Sequence, residues 1–210
     1  ERVRDVARDW AESGEMGRLR LIRYQSLAGD WQCRPEGIMS AGDAQPEEAM
    51  AYQWPDWLPE RLHGDWAWFN NYTSHALDLI SFWIGPPTAV ISSHPVRDPV
   101  SVVMLDWAGA RAVMIDGPAQ PGVWEEWIEL HYDGGWLRFS TPPALHRNVP
   151  GKIEIYRGRE GRREVVESPP EWAFRREIAH FLRSVAEGVP ESPTPDEALG
   201  TLTVVDAVFR

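Results

Sequence analysis

Three polar side chains that could do chemistry follow one another at helical spacing within residues 66–85. At 100° per residue, Asn71, His75 and Asp78 fall within about 60° of one another on a helix surface. The opposite side of this helix is apolar and carries Leu77, Ile80 and Ile84. Gly85 and the two prolines after it end the helix. An imidazole can accept or donate a proton near neutral pH, and an amide can orient a hydroxyl group. The pattern therefore predicts a helix that presents acid–base chemistry to a cleft.

Spacing alone leaves a structural role for His75 equally open. The six histidines show no local spacing typical of a metal site. A carboxylate pair could form from Asp116 with Glu125 and Glu126. Glutamates that alternate with Trp and Ile on a strand are, however, more typical of a solvated face, and we interpret them so.

Hydrophobic periodicity and turn signals predict an α+β domain with a large open, predominantly antiparallel sheet. We expect a short helix over residues 2–12 and a strand over 19–27. A Trp-, Pro- and Gly-rich loop follows over residues 28–65, with one helical turn at 46–52. After the signature helix, the predicted strands cover residues 88–93, 100–107, 111–116, 124–132, 136–140 and 152–156, and a further strand could cover 162–167. Two amphipathic helices close the chain at 172–187 and 196–209.

Two apolar surfaces are predicted to be covered. The first closing helix should bury its apolar stripe, formed by Phe174, Ile178, Phe181, Leu182 and Val185. Strand 100–107 is apolar on both alternating sets, which predicts that the outer face of the sheet is also buried. A symmetric sheet-to-sheet dimer would bury that face. The alternatives are coverage by another domain or by the long loop.

Four segments in order resemble the Gfo/Idh/MocA oxidoreductases, the glucose–fructose oxidoreductase and inositol dehydrogenase family. They are S-G-E-M-G-R-L-R-L-I-R-Y near the start, S-H-A-L-D-L-I-S-F-W-I-G-P-P in the signature helix, D-G-G-W-L-R-F in the sheet and E-I-A-H-F-L-R-S-V-A-E-G in the first closing helix. The resemblance covers nearly the whole chain. It identifies residues 1–210 as a single C-terminal substrate-binding domain. The family's G-x-G-x-x-G and E-K-P motifs are absent, so we expect the N-terminal dinucleotide-binding domain to lie elsewhere in a longer polypeptide.

The resemblance implies hydride transfer between a sugar, cyclitol or related polyol and NAD or NADP, with the cofactor held mainly by the absent domain. His75 matches the family histidine that contacts the reacting hydroxyl, and Asn71 stands where many members have Asp. The resemblance also implies a homodimer or tetramer that forms through the open sheet face. A non-catalytic carbohydrate-binding or scaffold domain is the alternative, because Asn71 carries no charge.

Further substrate contacts are predicted around this pair. Tyr72 adjoins Asn71, and Trp31 and Trp68 are among five tryptophans between residues 31 and 68. Indole faces stack on the C–H faces of sugars, although such rings also pin a loop to a core. Arg23, on the first strand, could point into the cleft or lie on the surface.

Composition restricts the class of protein. A chain of 210 residues with 43% hydrophobic residues can bury a sizeable core. The net charge of −11 argues against a nucleic-acid backbone as partner. No apolar run is long enough to span a bilayer, and we expect no membrane partner. Cys33 is alone, so no intrachain disulfide can form, and a cytoplasmic location is expected.

Overall fold

The predicted fold class is confirmed by a computed structural model of the protein. The structure describes residues 2–29, 54–120, 122–188 and 193–210. These residues form an open, eight-stranded, mostly antiparallel sheet with helices packed against one face. The expected helical turn at 46–52, Trp31 and Cys33 lie outside the described residues.

The elements follow the predicted order. The helices are α1 (Arg2–Glu12), α2 (His63–Trp68), α3 (Ser74–Ile84), α4 (Ala173–Glu187) and α5 (Pro195–Phe209), with a 3₁₀ turn at Glu60–Leu62 and a π-helical segment at Phe69–Thr73. The strands are β1 (Leu19–Ala28), β2 (Ala89–His94), β3 (Ser101–Trp107), β4 (Ala110–Pro118), β5 (Trp124–Tyr132), β6 (Gly135–Ser140), β7 (Lys152–Arg157) and β8 (Arg162–Glu167). The further strand that the sequence allowed at 162–167 is therefore present.

The strand order is β2-β3-β4-β1-β5-β6-β7-β8. Strand β1 lies in the centre, parallel to β4 and antiparallel to β5. All other neighbouring strands pair antiparallel. Ser26 on β1 pairs with Asp116 on β4 and with Glu126 on β5, so these three residues form one row on the same face.

The core lies between this face and the helices. Along the strands, alternate residues point into this core. Among them are Ile22, Leu105 and Leu130, each with no exposed area. From α3, the predicted apolar side contributes Leu77 and Ile80, which are 1% and 0% exposed. Burial of one such side chain stabilises the fold by about 1.5–3 kcal/mol. Because the apolar side of α3 packs on the core, the opposite side of the helix faces away from it.

The signature helix is not a continuous α-helix. Residues Phe69–Thr73 form a π-helical turn between α2 and α3. Such a turn widens the helix locally and is often found at functional sites. The helix ends as predicted at Gly85, whose φ of 81° suits a residue without a Cβ.

One prediction about the helices is wrong. Helix α4 buries none of its side chains. The apolar stripe is exposed instead, at 58% for Ile178, 62% for Phe181, 59% for Leu182 and 65% for Val185, while Phe174 is half-buried. The stripe is amphipathic as the sequence indicated, but it packs on no described element closely enough to be covered. In the described part of the chain, no helix has the length and apolar character to cross a membrane.

Candidate functional site

A cavity of about 650 Å³ lies between the helical layer and the sheet. Its walls come from α3, from the π-helical turn, from β1, β5 and β6, from residues 141–151 and from α4. Aromatic rings form much of the wall, namely Tyr24, Tyr72, Trp124, Phe139 and Phe174. Flat aromatic faces are suited to the C–H face of a sugar or to another flat ring.

The structure brings three of the predicted site residues to this cavity. His75 on α3 and Asn71 and Tyr72 on the π-helical turn all line it. His75 and Asn71 are exposed, so both can meet a ligand without rearrangement of the core. The four-residue spacing that predicted their proximity also applies across the π-helical turn, because four residues make about one turn in both an α-helix and a π-helix.

Glu126 is a cavity residue that the sequence interpretation placed wrongly on a solvated face. Its Oε1 accepts a hydrogen bond from the Tyr24 hydroxyl at 3.4 Å, and its Oε2 accepts one from the Thr141 hydroxyl. Burial raises the pKa of Glu126, an effect that these two hydroxyls and the nearby His75 oppose. Strand alternation could have identified Glu126 as buried. Glu126 lies on the same face of β5 as Ile128 and Leu130, which are both buried, whereas Glu125 lies on the other face.

Asp116 is a second carboxylate whose burial the sequence interpretation missed. It is 2% exposed, and its Oδ2 accepts hydrogen bonds from Trp68 Nε1 at 2.7 Å and from the Thr73 hydroxyl at 3.4 Å. Burial raises its pKa to about 6, against the two hydrogen bonds and the charge of Arg97. These contacts tie both ends of the π-helical turn to β4, which holds Asn71 and Tyr72 in place.

Tyr24 is close to both carboxylates. It is 1% exposed, and burial raises its pKa well above the ordinary value, with further contributions from the charges of Glu126 and Asp116. The phenol therefore stays protonated and acts as a hydrogen-bond donor at neutral pH.

Trp68 does not line the cavity but supports it from behind. Its indole stacks on Tyr72 with ring centroids 3.8 Å apart, and the Arg97 guanidinium lies 3.9 Å from the indole centroid on this stack. Trp68 therefore does not lie where the predicted direct substrate contact requires it, and its indole instead orients the Tyr72 ring.

Arg23 lies outside the cavity, on the open face of the sheet. Its Nη1 is 2.9 Å from Glu129 Oε2, and its guanidinium lies 5.0 Å from the Trp127 ring centroid. Odd-numbered residues of β1 face away from the helices, since Ile22 and Tyr24 face them. Of the two positions that the sequence left open for Arg23, the structure has the surface one.

The described loop tryptophans pin the chain to the core. Trp54 stacks on His63 with ring centroids 4.3 Å apart, and Trp66 Nε1 donates to Asp206 at 3.4 Å. Trp57 packs below Arg210, whose guanidinium lies 4.3 Å from its ring centroid. None of these three lines the cavity, and Trp31 lies outside the described residues.

Comparison with known proteins finds solved structures that share this fold. No protein-family model matches the sequence, and no curated protein sequence does. The fold is similar to that of KijD10, a 3-ketoreductase from Actinomadura kijaniata solved with NADP and TDP-benzene, at 18% identity and a TM-score of 0.62. The match covers 98% of this chain and 57% of KijD10.

A second solved structure has the same fold. It is a provisionally assigned NADPH-dependent oxidoreductase from Desulfitobacterium hafniense, with 13% identity and a TM-score of 0.64. Here too the match covers 98% of this chain and 57% of the other. At these identities the likeness shows the fold alone. The chain spans little more than half the length of the structures it matches.

Proposed function

We propose that this chain is the substrate-binding domain of an NAD(P)-dependent oxidoreductase that acts on a sugar, cyclitol or related polyol. The observation that carries the proposal is the shared position of His75 and Asn71 on the wall of an aromatic cavity. The solved structures with this fold support it, since KijD10 is a ketoreductase solved with NADP.

In this proposal, His75 accepts the proton of the reacting hydroxyl when the carbinol is oxidised, and returns it when the ketone is reduced. The Asn71 amide orients the same hydroxyl or a neighbouring one by hydrogen bonding. Tyr72, held by its stack on Trp68, and Trp124 bind the apolar face of the sugar.

The described residues suit a substrate better than a dinucleotide. In the ranges that the structure describes, no glycine-rich turn connects a strand to the start of a helix, so a pyrophosphate has no cradle of that kind. We therefore propose that NAD or NADP is bound mainly by another domain of the same polypeptide. When bound there, the nicotinamide supplies the acceptor or donor of hydride.

The exposed stripe of α4 is the surface proposed to meet that domain. Its four large apolar side chains are each more than half exposed. Contiguous exposed apolar surface marks an interaction site. The match covers only 57% of each of these structures, which supports a further domain as the occupant.

The open face of the sheet is proposed to form a homodimer or tetramer. Around β3 and β4 this face is apolar, with Val102 36% exposed and with Met104, Val113 and Ile115 half-buried. A second copy of the same surface would bury these side chains symmetrically.

The test replaces His75 with Ala in the protein that carries both domains. We expect kcat/KM for a polyol substrate to fall by more than tenfold (over about 1.4 kcal/mol of transition-state stabilisation). His94→Ala is the matched control, because His94 is exposed on the edge strand β2, away from the cavity. A loss of less than tenfold would remove His75 from the reaction. Binding of polyols without any dehydrogenase activity would favour the carbohydrate-binding alternative.

A further inference from the structure

The cavity floor holds a carboxylate that the proposed function does not use. Glu126 is anchored at both oxygens, by the Tyr24 hydroxyl from β1 and by the Thr141 hydroxyl after β6. Two donors on two different elements fix the position of the carboxylate and leave it little rotational freedom. Such anchoring is more than the packing of this face requires, because apolar residues fill the neighbouring positions Ile128 and Leu130.

His75 faces this carboxylate from the helical side of the cavity. Both residues line the same space, one from α3 and one from β5. They are close enough for the imidazole to lower the pKa of Glu126 against the effect of burial. Because His75 is exposed and Glu126 is anchored, the imidazole can contact a ligand while the carboxylate stays below it.

Other charged and titratable groups lie around the pair. Those that share the cavity wall come from residues 141–151, from α4 and from the turn before it: His146, Glu171, Arg176, Glu177 and His180. Arg176 is paired with Glu171 at 3.4 Å. Asp116 on β4 is near enough to Glu126 for their charges to interact, and both add to the effect of burial on the pKa of Tyr24. On α3, burial raises the pKa of Asp78, the charge of Glu197 on α5 adds to this, and His75 opposes it. Glu126 is thus the anchored carboxylate that faces His75 inside the cavity.

We propose that Glu126 is a positioning residue for His75: its carboxylate orients the imidazole and balances the positive charge that forms when His75 takes the substrate proton. The inference rests on the proposed function. Glu126 supplies the negative charge that Asn71 cannot. The charge therefore comes from the sheet and not from the residue one helical turn before His75.

The proton step is balanced within this arrangement. On oxidation, the O–H bond of the carbinol breaks and its proton moves to the free ring nitrogen of His75. The C–H electron pair leaves as hydride to the nicotinamide cofactor, and the C=O bond forms. The imidazolium then lies opposite the Glu126 carboxylate, which stays ionised, and the Tyr24 and Thr141 hydroxyls keep donating to it.

A role in packing alone explains less. Gln at position 126 could keep both contacts without the cost of burying a charge, because its carbonyl oxygen would accept from one hydroxyl and its NH2 would donate to the other. The chain nevertheless has a carboxylate here, and burial raises its pKa. Groups perturbed in this way cluster at functional sites.

The activity test compares Glu126→Gln with Glu125→Gln in the protein that carries both domains. The two variants lose the same charge at adjacent positions, but the Glu125 side chain is exposed on the other sheet face. For Glu126→Gln we expect kcat to fall by about tenfold while KM changes little, because the carboxylate balances a positive charge that forms only in the proton-transfer step. A purely structural role would disturb the cavity and change KM as well. An unchanged kcat, a change in KM of similar size, or an equal fall in Glu125→Gln overturns the proposal.

A second readout needs neither substrate nor cofactor. The carboxyl carbon of Glu126 is titrated by NMR in the 210-residue chain, with and without the substitution His75→Gln. Loss of the imidazole should raise the midpoint of Glu126, and His94→Gln should leave it unchanged. No change in His75→Gln overturns the pairing whatever the activity. A clear shift in a protein without dehydrogenase activity instead refutes the proposed function and leaves the charge pair intact.

Discussion

Replacement of Asp116 by Asn should stabilise the protein at neutral pH. Asp116 is almost fully buried, and its pKa is about 6 in the folded protein against 3.8 for an unperturbed group. A raised folded-state pKa contributes stability that is complete below the unfolded pKa and is lost as the pH rises through the folded pKa. The rise of about two units corresponds to about 3 kcal/mol, at 1.36 kcal/mol per unit.

Asn keeps an oxygen that can accept from Trp68 and Thr73, so the hydrogen bonds to β4 survive. We therefore expect the free energy of unfolding of Asp116→Asn to match that of the natural chain at about pH 3, below the unfolded pKa. Above about pH 7 it should exceed the natural value by up to about 3 kcal/mol. Urea unfolding at a series of pH values measures this difference, and titration of other groups cancels between the two proteins.

Asp106→Asn is the matched control with the opposite sign. The pKa of Asp106 is lowered, first by the Thr88 hydroxyl and then by the Gly109 amide and Arg111. A lowered folded-state pKa contributes stability that is present above the unfolded pKa and is lost as the pH falls. Asp106→Asn should therefore be less stable than the natural chain at neutral pH. The reasoning on Asp116 is refuted if Asp116→Asn shows a difference that does not depend on pH, or if it is less stable throughout.

Two further predictions concern surfaces. Phe181→Ser should change the free energy of unfolding of the 210-residue chain by less than about 0.5 kcal/mol, because Phe181 is 62% exposed. Phe69 is 2% exposed, and Phe69→Ala should cost about 3–5 kcal/mol in the same chemical denaturation. A large loss of stability in Phe181→Ser would mean that α4 packs on the core. Val102→Asp should shift the chain from dimer to monomer in sedimentation velocity, while Val165→Asp at the far end of the same sheet face should not. An unchanged sedimentation coefficient in Val102→Asp would contradict dimerisation through this part of the face.

Periodicity predicted the elements well because their patterns are local. The two-residue alternation of the strands and the Gly85 stop of the signature helix are properties of short windows, and both are confirmed. Whether another surface packs on the apolar stripe of α4 is not determined by the local sequence. Its stripe has the pattern of a packed helix, but the pattern states only that a partner is required and not that this chain provides it.

The site was predicted in part for a similar reason. His75, Asn71 and Tyr72 lie near one another in sequence, and their spacing on one helix was sufficient to place them together. Glu126 comes from a strand about fifty residues later, so its approach to His75 depends on how the sheet is assembled. Strict use of strand alternation would still have placed Glu126 with the buried residues. For Arg23 the same rule left both sides open, because alternation alone does not say which face of β1 meets the helices.

The central position of β1 has a consequence for how the chain is made. Strand β1 joins a three-stranded meander, β2–β4, to a four-stranded meander, β5–β8, and each meander can form from hairpins that are close in sequence. Its partners come much later: Leu21 pairs with Arg111 and with His131. Of the eight strands, β1 is therefore the first to leave the ribosome, yet both of its edges stay unpaired until about a hundred more residues follow. Joining the two halves into one sheet is thus a late, long-range step of folding.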